Sequence, residues 1–288
     1  MLNKKYLVAN GCSFTEGHTL GNEGAWPKFL GKKLNLEVYN IGKGGSGNDT
    51  ITWRTIEFCE RYNDIANNSL FVIQLTECLR YHVYYDNLAD IPQEWHVTPL
   101  CFQRSMEPYT TGNNASKWIY KNKEELAFIF TNITFSLYKT FQNIITLTSY
   151  FEKNNYTYII FDGINDHKPF KYRNSYYLKE SNSDNINPEF KIKTNLDLKH
   201  PSDIKNNIIN RMDGYIIDEK FINNIFSNKY IFKNIPVMLK YFMDRGLNEF
   251  NNSEYYLKGN SGHPNLKACE IWSDILQEYI EEIFGKTE

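Results

Sequence analysis

The order of apolar runs along the chain points to a three-layer α/β/α sandwich around a mainly parallel sheet of about five strands. Short β-rich runs alternate with helical patterns through the first 77 residues, the spacing of parallel βαβ units. Right-handed crossovers of such units place helices on both faces of the sheet. A further apolar run at 156–162 and a terminal helical pattern at 265–284 extend the same architecture.

The elements follow in order. "KYLVAN" (5–10) reads as a buried strand, and "AWPKFLGKKLN" (25–35) as a helix with Pro27 in its first turn, where the missing N–H costs nothing. "LEVYNIG" (36–42) is the second strand and "GKGGSGNDT" a loop. In "TITWRTIEFCERYNDI" (50–65), Ile51, Ile56, Phe58 and Tyr62 recur as on a packed helix, and "SLFVIQLTE" (69–77) is the third strand. Residues 81–122 break the rhythm with Pro92, Pro99, Pro108 and many aromatics, and read as an inserted loop region. A long helix is expected over 123–154 and a fourth strand over "YTYIIFD" (156–162). A second insertion, 166–250, is polar and irregular apart from helical patterns in "DEKFINNIFSNKYIF" and "PVMLKYFMDRGL". Insertions of that length inside a compact domain are usually binding loops or lids. The last helix (265–284) has Asn265 as its cap, with Ile271, Ile275, Leu276, Tyr279 and Ile283 facing the core. One domain over 1–288 carrying two insertions fits the length of 288 residues and a hydrophobic content of 41%.

Composition excludes several classes of function. The formal net charge is −2, with basic residues scattered singly, so nothing offers a stripe for nucleic acid. Neither a secretory apolar region nor a span of about 18 apolar residues is present, so no membrane span and a cytoplasmic or intracellular location are expected. Five cysteines without a Cys-x-x-Cys pair suggest neither a disulfide framework nor a zinc site, and no metal or organic cofactor is called for. The 16% aromatic share, with 21 Tyr and 19 Phe, is high enough that some rings are expected to line surfaces or grooves.

In an open parallel sheet the ligand crevice lies beyond the carboxyl ends of the strands. Ser13 follows the first strand, Gly42, Gly44, Gly45, Ser46, Gly47 and Asn48 follow the second, and Thr76 and Glu77 close the third. His263, in "GNSGHPN", stands just before the last helix and can reach the same rim. A serine needs a base and oxyanion donors to act as a nucleophile. His263 stands as the base or as a helix-entry residue, Ser13 and Gly45 offer backbone N–H donors or simply form tight turns, and Asn48 offers either a further N–H or the cap of the following helix. Glu77 and Arg80 read as an ion pair or as a polar-substrate contact, while His18 and Glu16 read as pocket lining or surface.

On these residues the chain resembles the SGNH/GDSL hydrolase superfamily. "GCSFT" matches its Gly-Asp-Ser-x-Thr block with Cys12 in place of Asp, and "YNIGKGGSGND" matches the glycine loop, with Gly45 as the oxyanion glycine. "NSGHPN" matches the final Asp-x-x-His block, with Asn260 standing where Asp is expected. The resemblance implies a flavodoxin-like five-stranded sheet, Ser13 as nucleophile, His263 as base and Asn260 as its orienting partner, that last role falling otherwise to a backbone carbonyl or to Glu254. Its Gly-x-Asn-Asp block is missing after the third strand, where Thr76 offers a hydroxyl instead. A literal "GIND" occurs at Gly163 to Asp166, after the fourth strand. With another strand upstream it supplies the block, and Asn165 as donor; otherwise the match is accidental. The implied reaction is ester hydrolysis, with the aromatic insertions favouring a bulky substrate such as an O-acylated carbohydrate. Two alternatives stay open: an inactive binding or structural module of the same fold, in a virus particle or other large assembly, and an O-acyltransferase using the same residues.

Overall fold

The computed structural model describes residues 3–78, 80–85, 93–97, 133–164, 227–228, 230–231, 235, 238–243, 255 and 263–285. Four strands form a parallel sheet: β1 (Tyr6–Asn10), β2 (Glu37–Asn40), β3 (Ser69–Leu75) and, later in the chain, β6 (Thr157–Asp162). Their order is β2-β1-β3-β6. Leu7 sits opposite Val38 and Leu70, and Val72 opposite Ile159, so all four carboxyl ends meet at one rim.

Alternation along each strand divides the core in two. Leu7, Ala9, Leu70, Val72, Ile159 and Phe161 face one layer. It consists of α3 (Trp26–Leu34), α7 (Met238–Met243) and α8 (Leu266–Phe284). Val8, Phe71, Ile73, Tyr158 and Ile160 face the other, made by α4 (Asn48–Arg61), α5 (Asn63–Asn67) and α6 (Ile133–Lys153). β3 is buried at every position, the pattern of a central strand covered on both faces. Two short helices, α1 (Ser13–Glu16) and α2 (Gly21–Gly24), connect β1 to α3.

Local chemistry sets the element ends. Proline stands in the first turn of α3, and Asn35 ends that helix in the left-handed region at φ 54°. Asn265 caps α8, its side-chain oxygen accepting from the Ala268 N–H at 3.0 Å.

Several expectations are corrected. The described parallel sheet has four strands, not five; a single parallel bridge, Ile160 to Ile231, lies against β6 where another strand would pair. The helix expected over 50–65 starts at Asn48 and breaks at Tyr62, where α5 begins. Within 81–122 the described residues form an antiparallel pair, β4 (Tyr81–Tyr85) and β5 (Gln93–Val97), rather than irregular loop. Of the long helix, 133–153 is described and helical, and 123–132 lies outside the described residues. Most of 166–250 also lies outside them; Tyr230 and Ile231, placed in a helical pattern from sequence, are in a turn and the bridge. On α8 the buried stripe is Ala268, Cys269, Trp272, Leu276, Tyr279 and Ile280, while Ile271, Ile275 and Ile283 are only partly covered. Each fully buried large apolar side chain there contributes about 1.5–3 kcal/mol. Among the described residues, no helix is long and apolar enough to cross a membrane.

Candidate active site

Ser13 opens α1 directly beyond β1. The turn is tied to α4 and to the central strand β3. Asn10 donates to the Ile51 carbonyl and to Thr55 Oγ1, each at 2.8 Å, and accepts from the Gly11 N–H at 2.8 Å. Thr15 Oγ1 donates to Gln74 Oε1, and Gln74 Nε2 reaches Cys12 Sγ at 3.9 Å. A Cβ at Gly11 would lie 2.2 Å from Thr15 Oγ1, so only glycine lets the chain pass there.

His263 reaches the serine from the entry to α8. Its Nε2 lies 2.9 Å from Ser13 Oγ, within the reach of a general base. The ring packs between two others: His18, with centroids 4.3 Å apart and planes tilted by 36°, and Phe14, edge-on at 5.6 Å. Burial, then the electrostatic influence of the neighbouring His18 and Arg80, lowers the His263 pKa to about 4. The imidazole is therefore neutral at pH 7. Its Nδ1 is buried and has no hydrogen-bond partner among the described residues.

The glycine loop after β2 closes against the same turn. Asn40 Nδ2 donates to the Thr15 carbonyl at 2.7 Å, the Gly42 N–H donates to Asn40 Oδ1 at 3.1 Å, and the Lys43 N–H donates to the Gly11 carbonyl at 3.1 Å. Residues 43–46 then make a turn in which the Ser46 N–H donates to the Lys43 carbonyl at 3.2 Å. Gly45 holds its third position at φ 78°, the type II pattern. The Gly44 N–H donates to Glu16 Oε2 at 2.9 Å. A Cβ placed on Gly44 would lie 3.8 Å from Ser13 Cβ, so this backbone is in contact range of the serine. Gly45 is left as the residue of the turn whose N–H makes no hydrogen bond among the described residues.

Other expected residues take different parts. Asn48 is the first residue of α4, after Gly47 as cap, and its amide is spent: Nδ2 donates to the Thr76 carbonyl at 3.1 Å and to Thr140 Oγ1 at 3.3 Å. Its Oδ1 accepts from the Thr76 N–H at 2.8 Å. The expectation of a free Asn48 N–H at the substrate is corrected, since both amide hydrogens are used inside the fold. Thr76 Oγ1 is buried without a partner and closed to solvent, so it does not open on the rim as a substitute donor. Glu77 and Arg80 form an ion pair at 2.6 Å, with side chains 21% and 13% exposed. Burial works to lower the Arg80 pKa, and the neighbouring Cys12 and the Glu77 carboxylate outweigh it and hold the pKa above its usual value. Asn165, Asn260 and Glu254 lie outside the described residues. In the described sheet β6 pairs directly with β3, with no strand between them, so the "GIND" run starts one strand beyond the block's usual place.

Sequence reasoning overlooked the supports: Asn10, Asn40 and Gln74, and the bond from Gly44 to Glu16. For Glu16 a signal existed, because it stands three residues after Ser13, a spacing that puts two side chains on one face of a helical turn.

No family model matches the chain, and no curated protein does. Fourteen chains among solved structures match it. It is similar to a protein described as lipolytic and of the G-D-S-L family, from Desulfitobacterium hafniense (14% identity, 96% of this chain and 99% of that chain, TM-score 0.45). It is similar to TesA (11% identity, 97% and 100% covered, TM-score 0.46). A third is the psychrotrophic esterase EstA from Pseudoalteromonas sp. (12% identity, 98% and 100% covered, TM-score 0.46). At such identities and TM-scores the chemistry has to rest on the side-chain geometry.

Proposed function

We propose that the chain is a serine hydrolase that cleaves an ester bond. The observation that carries this reading is the contact between Ser13 Oγ and the Nε2 of a neutral His263, 2.9 Å apart at the carboxyl rim of the sheet. In the reaction Ser13 Oγ attacks the ester carbonyl carbon while its proton passes to His263 Nε2. The carbonyl oxygen gains the negative charge, which the N–H groups of Ser13 and Gly45 stabilise. Collapse of the tetrahedral intermediate breaks the bond to the alcohol, which leaves with the proton from His263. Water, deprotonated by the same ring, then releases the acid and restores the serine. This cycle needs the His263 proton on Nδ1, and a buried N–H without an acceptor costs about 1–3 kcal/mol. Asn260, three residues before His263, is the side chain assigned to accept it, more weakly than a carboxylate would.

The substrate class assigned is an O-acylated carbohydrate, on the strength of the aromatic residues in the two insertions. Fluorophosphonate labelling tests the chemistry: wild type is expected to label, and Ser13→Ala and His263→Ala are not. Unlabelled wild type is then screened on acetylated glycans and on simple lipid esters, and cleavage of the lipid esters alone removes the carbohydrate assignment. A second reading, a binding module of the same fold, is favoured by one observation, the buried His263 Nδ1 without a partner among the described residues. Folded wild type that never labels decides for that reading.

A further inference from the structure

We propose that Glu16 is a positioning residue for the oxyanion donors: its carboxylate takes the Gly44 N–H and thereby holds the 43–46 turn with the Gly45 N–H unspent, against Ser13. The proposal rests on the serine-hydrolase reading and assigns the part of the site that sets its reactivity.

The glycine loop is anchored unevenly. Up to Lys43 it is stitched to β1 and α1 through Asn40, Gly42 and the Gly11 carbonyl, and Arg54 Nη2 donates to the Ile41 carbonyl at 3.1 Å. Beyond Lys43 come Gly44, Gly45 and Gly47, residues whose backbone has the widest conformational freedom. There the bond from the Gly44 N–H to Glu16 Oε2, at 2.9 Å, ties the turn to the helical turn that carries Ser13. A hydrogen bond to an ionised acceptor is roughly twice as strong as a neutral one. The bond also settles which N–H is left for substrate, because Ser46 is spent within the turn and Gly44 on the carboxylate. Nucleophile and turn are thus cross-linked by a residue in the same short helix as the nucleophile, with Glu16 itself half-buried.

Glu16 also places a negative charge near the developing oxyanion, and this separates positioning from direct electrostatic help. Glu16→Gln keeps an acceptor for the Gly44 N–H, a neutral and weaker one, and removes the like charge, so its kcat on p-nitrophenyl acetate is expected to fall less than that of the variants that lose or withdraw the acceptor. Glu16→Ala removes the acceptor, and Glu16→Asp withdraws it by one methylene. Both are expected to lower kcat roughly 10- to 100-fold, the scale of a misplaced oxyanion donor, with KM unchanged. Fluorophosphonate labelling rates should fall in the same order. Thermal melts confirm folding, and if the Ala variant does not fold the Asp variant carries the test. Equal or faster reaction of Glu16→Ala or Glu16→Asp would overturn the proposal, faster reaction meaning that the carboxylate blocks a donor at Gly44. Wild type that neither labels nor turns over removes the hydrolase reading and the proposal with it, a result visible before any variant is made.

Discussion

Burial keeps His263 uncharged, and its neighbours reinforce the effect from two directions. His18 stacks on the ring from the segment after α1, and Arg80 approaches from beyond β3, its charge partly offset by Glu77. A base that protonates only near pH 4 stays available across the neutral range. The kcat/KM of a model ester is therefore expected to be flat through neutrality, with an acid limb centred near 4. Removing His18 uncovers one face of the ring and deletes a neighbour whose electrostatic effect lowers the His263 pKa, and both changes raise it. A pH–rate profile of His18→Ala should accordingly shift its acid limb upward; an unshifted limb would show that His18 does not act on the base. Stability follows the same group. The folded pKa of about 4 lies below the ordinary 6.5, so between these values the unfolded chain binds more protons. His263 therefore makes the fold lose stability as pH falls through that window.

The contact between α3 and β2 shows how a helical position can be decided by its neighbour. Gly31 lies inside α3, where alanine normally gains about 0.5–1 kcal/mol over glycine. Here a Cβ would sit 2.1 Å from Val38 Cγ2 and 3.0 Å from the Leu36 carbonyl oxygen. Overpacking of that kind costs about 1–3 kcal/mol. Gly31→Ala should thus be destabilising by about 1 kcal/mol in urea denaturation, the reverse of its helix propensity. A stabilised variant would mean that β2 can move away from α3 cheaply. Since β2 leads into Asn40 and the glycine loop, such movement would also reach the site.

The layers are joined to one another near the same rim. Asn48 begins α4, grips the backbone of Thr76 at the end of β3 through both its N–H and its carbonyl, and reaches Thr140 on α6. One buried amide therefore links the central strand to two helices of one layer. Asn48→Ala would strand the Thr76 N–H in the interior, at a cost of about 2 kcal/mol. Equilibrium denaturation should record that loss. An unchanged midpoint would mean that water replaces the amide.

The strands and principal helices were legible because their signals are local. A buried parallel strand is a continuous apolar run, and "SLFVIQL" announces β3 without reference to anything it touches. The same holds for Pro27 at the start of α3 and for Asn265 as a cap. Ser13 and His263 could be nominated because each stands at the end of such an element. Their approach to 2.9 Å, across 250 positions of chain, belongs to the packed sheet and not to any stretch of sequence. So do the turning of Asn48 and Thr76 into the interior, the choice of Trp272 and Ile280 over Ile275 for the centre of the α8 stripe, and the neutrality of His263. Periodicity says which residues share a face. Burial and hydrogen-bond partners depend on what the rest of the chain brings to that face, and exist only once the layers close.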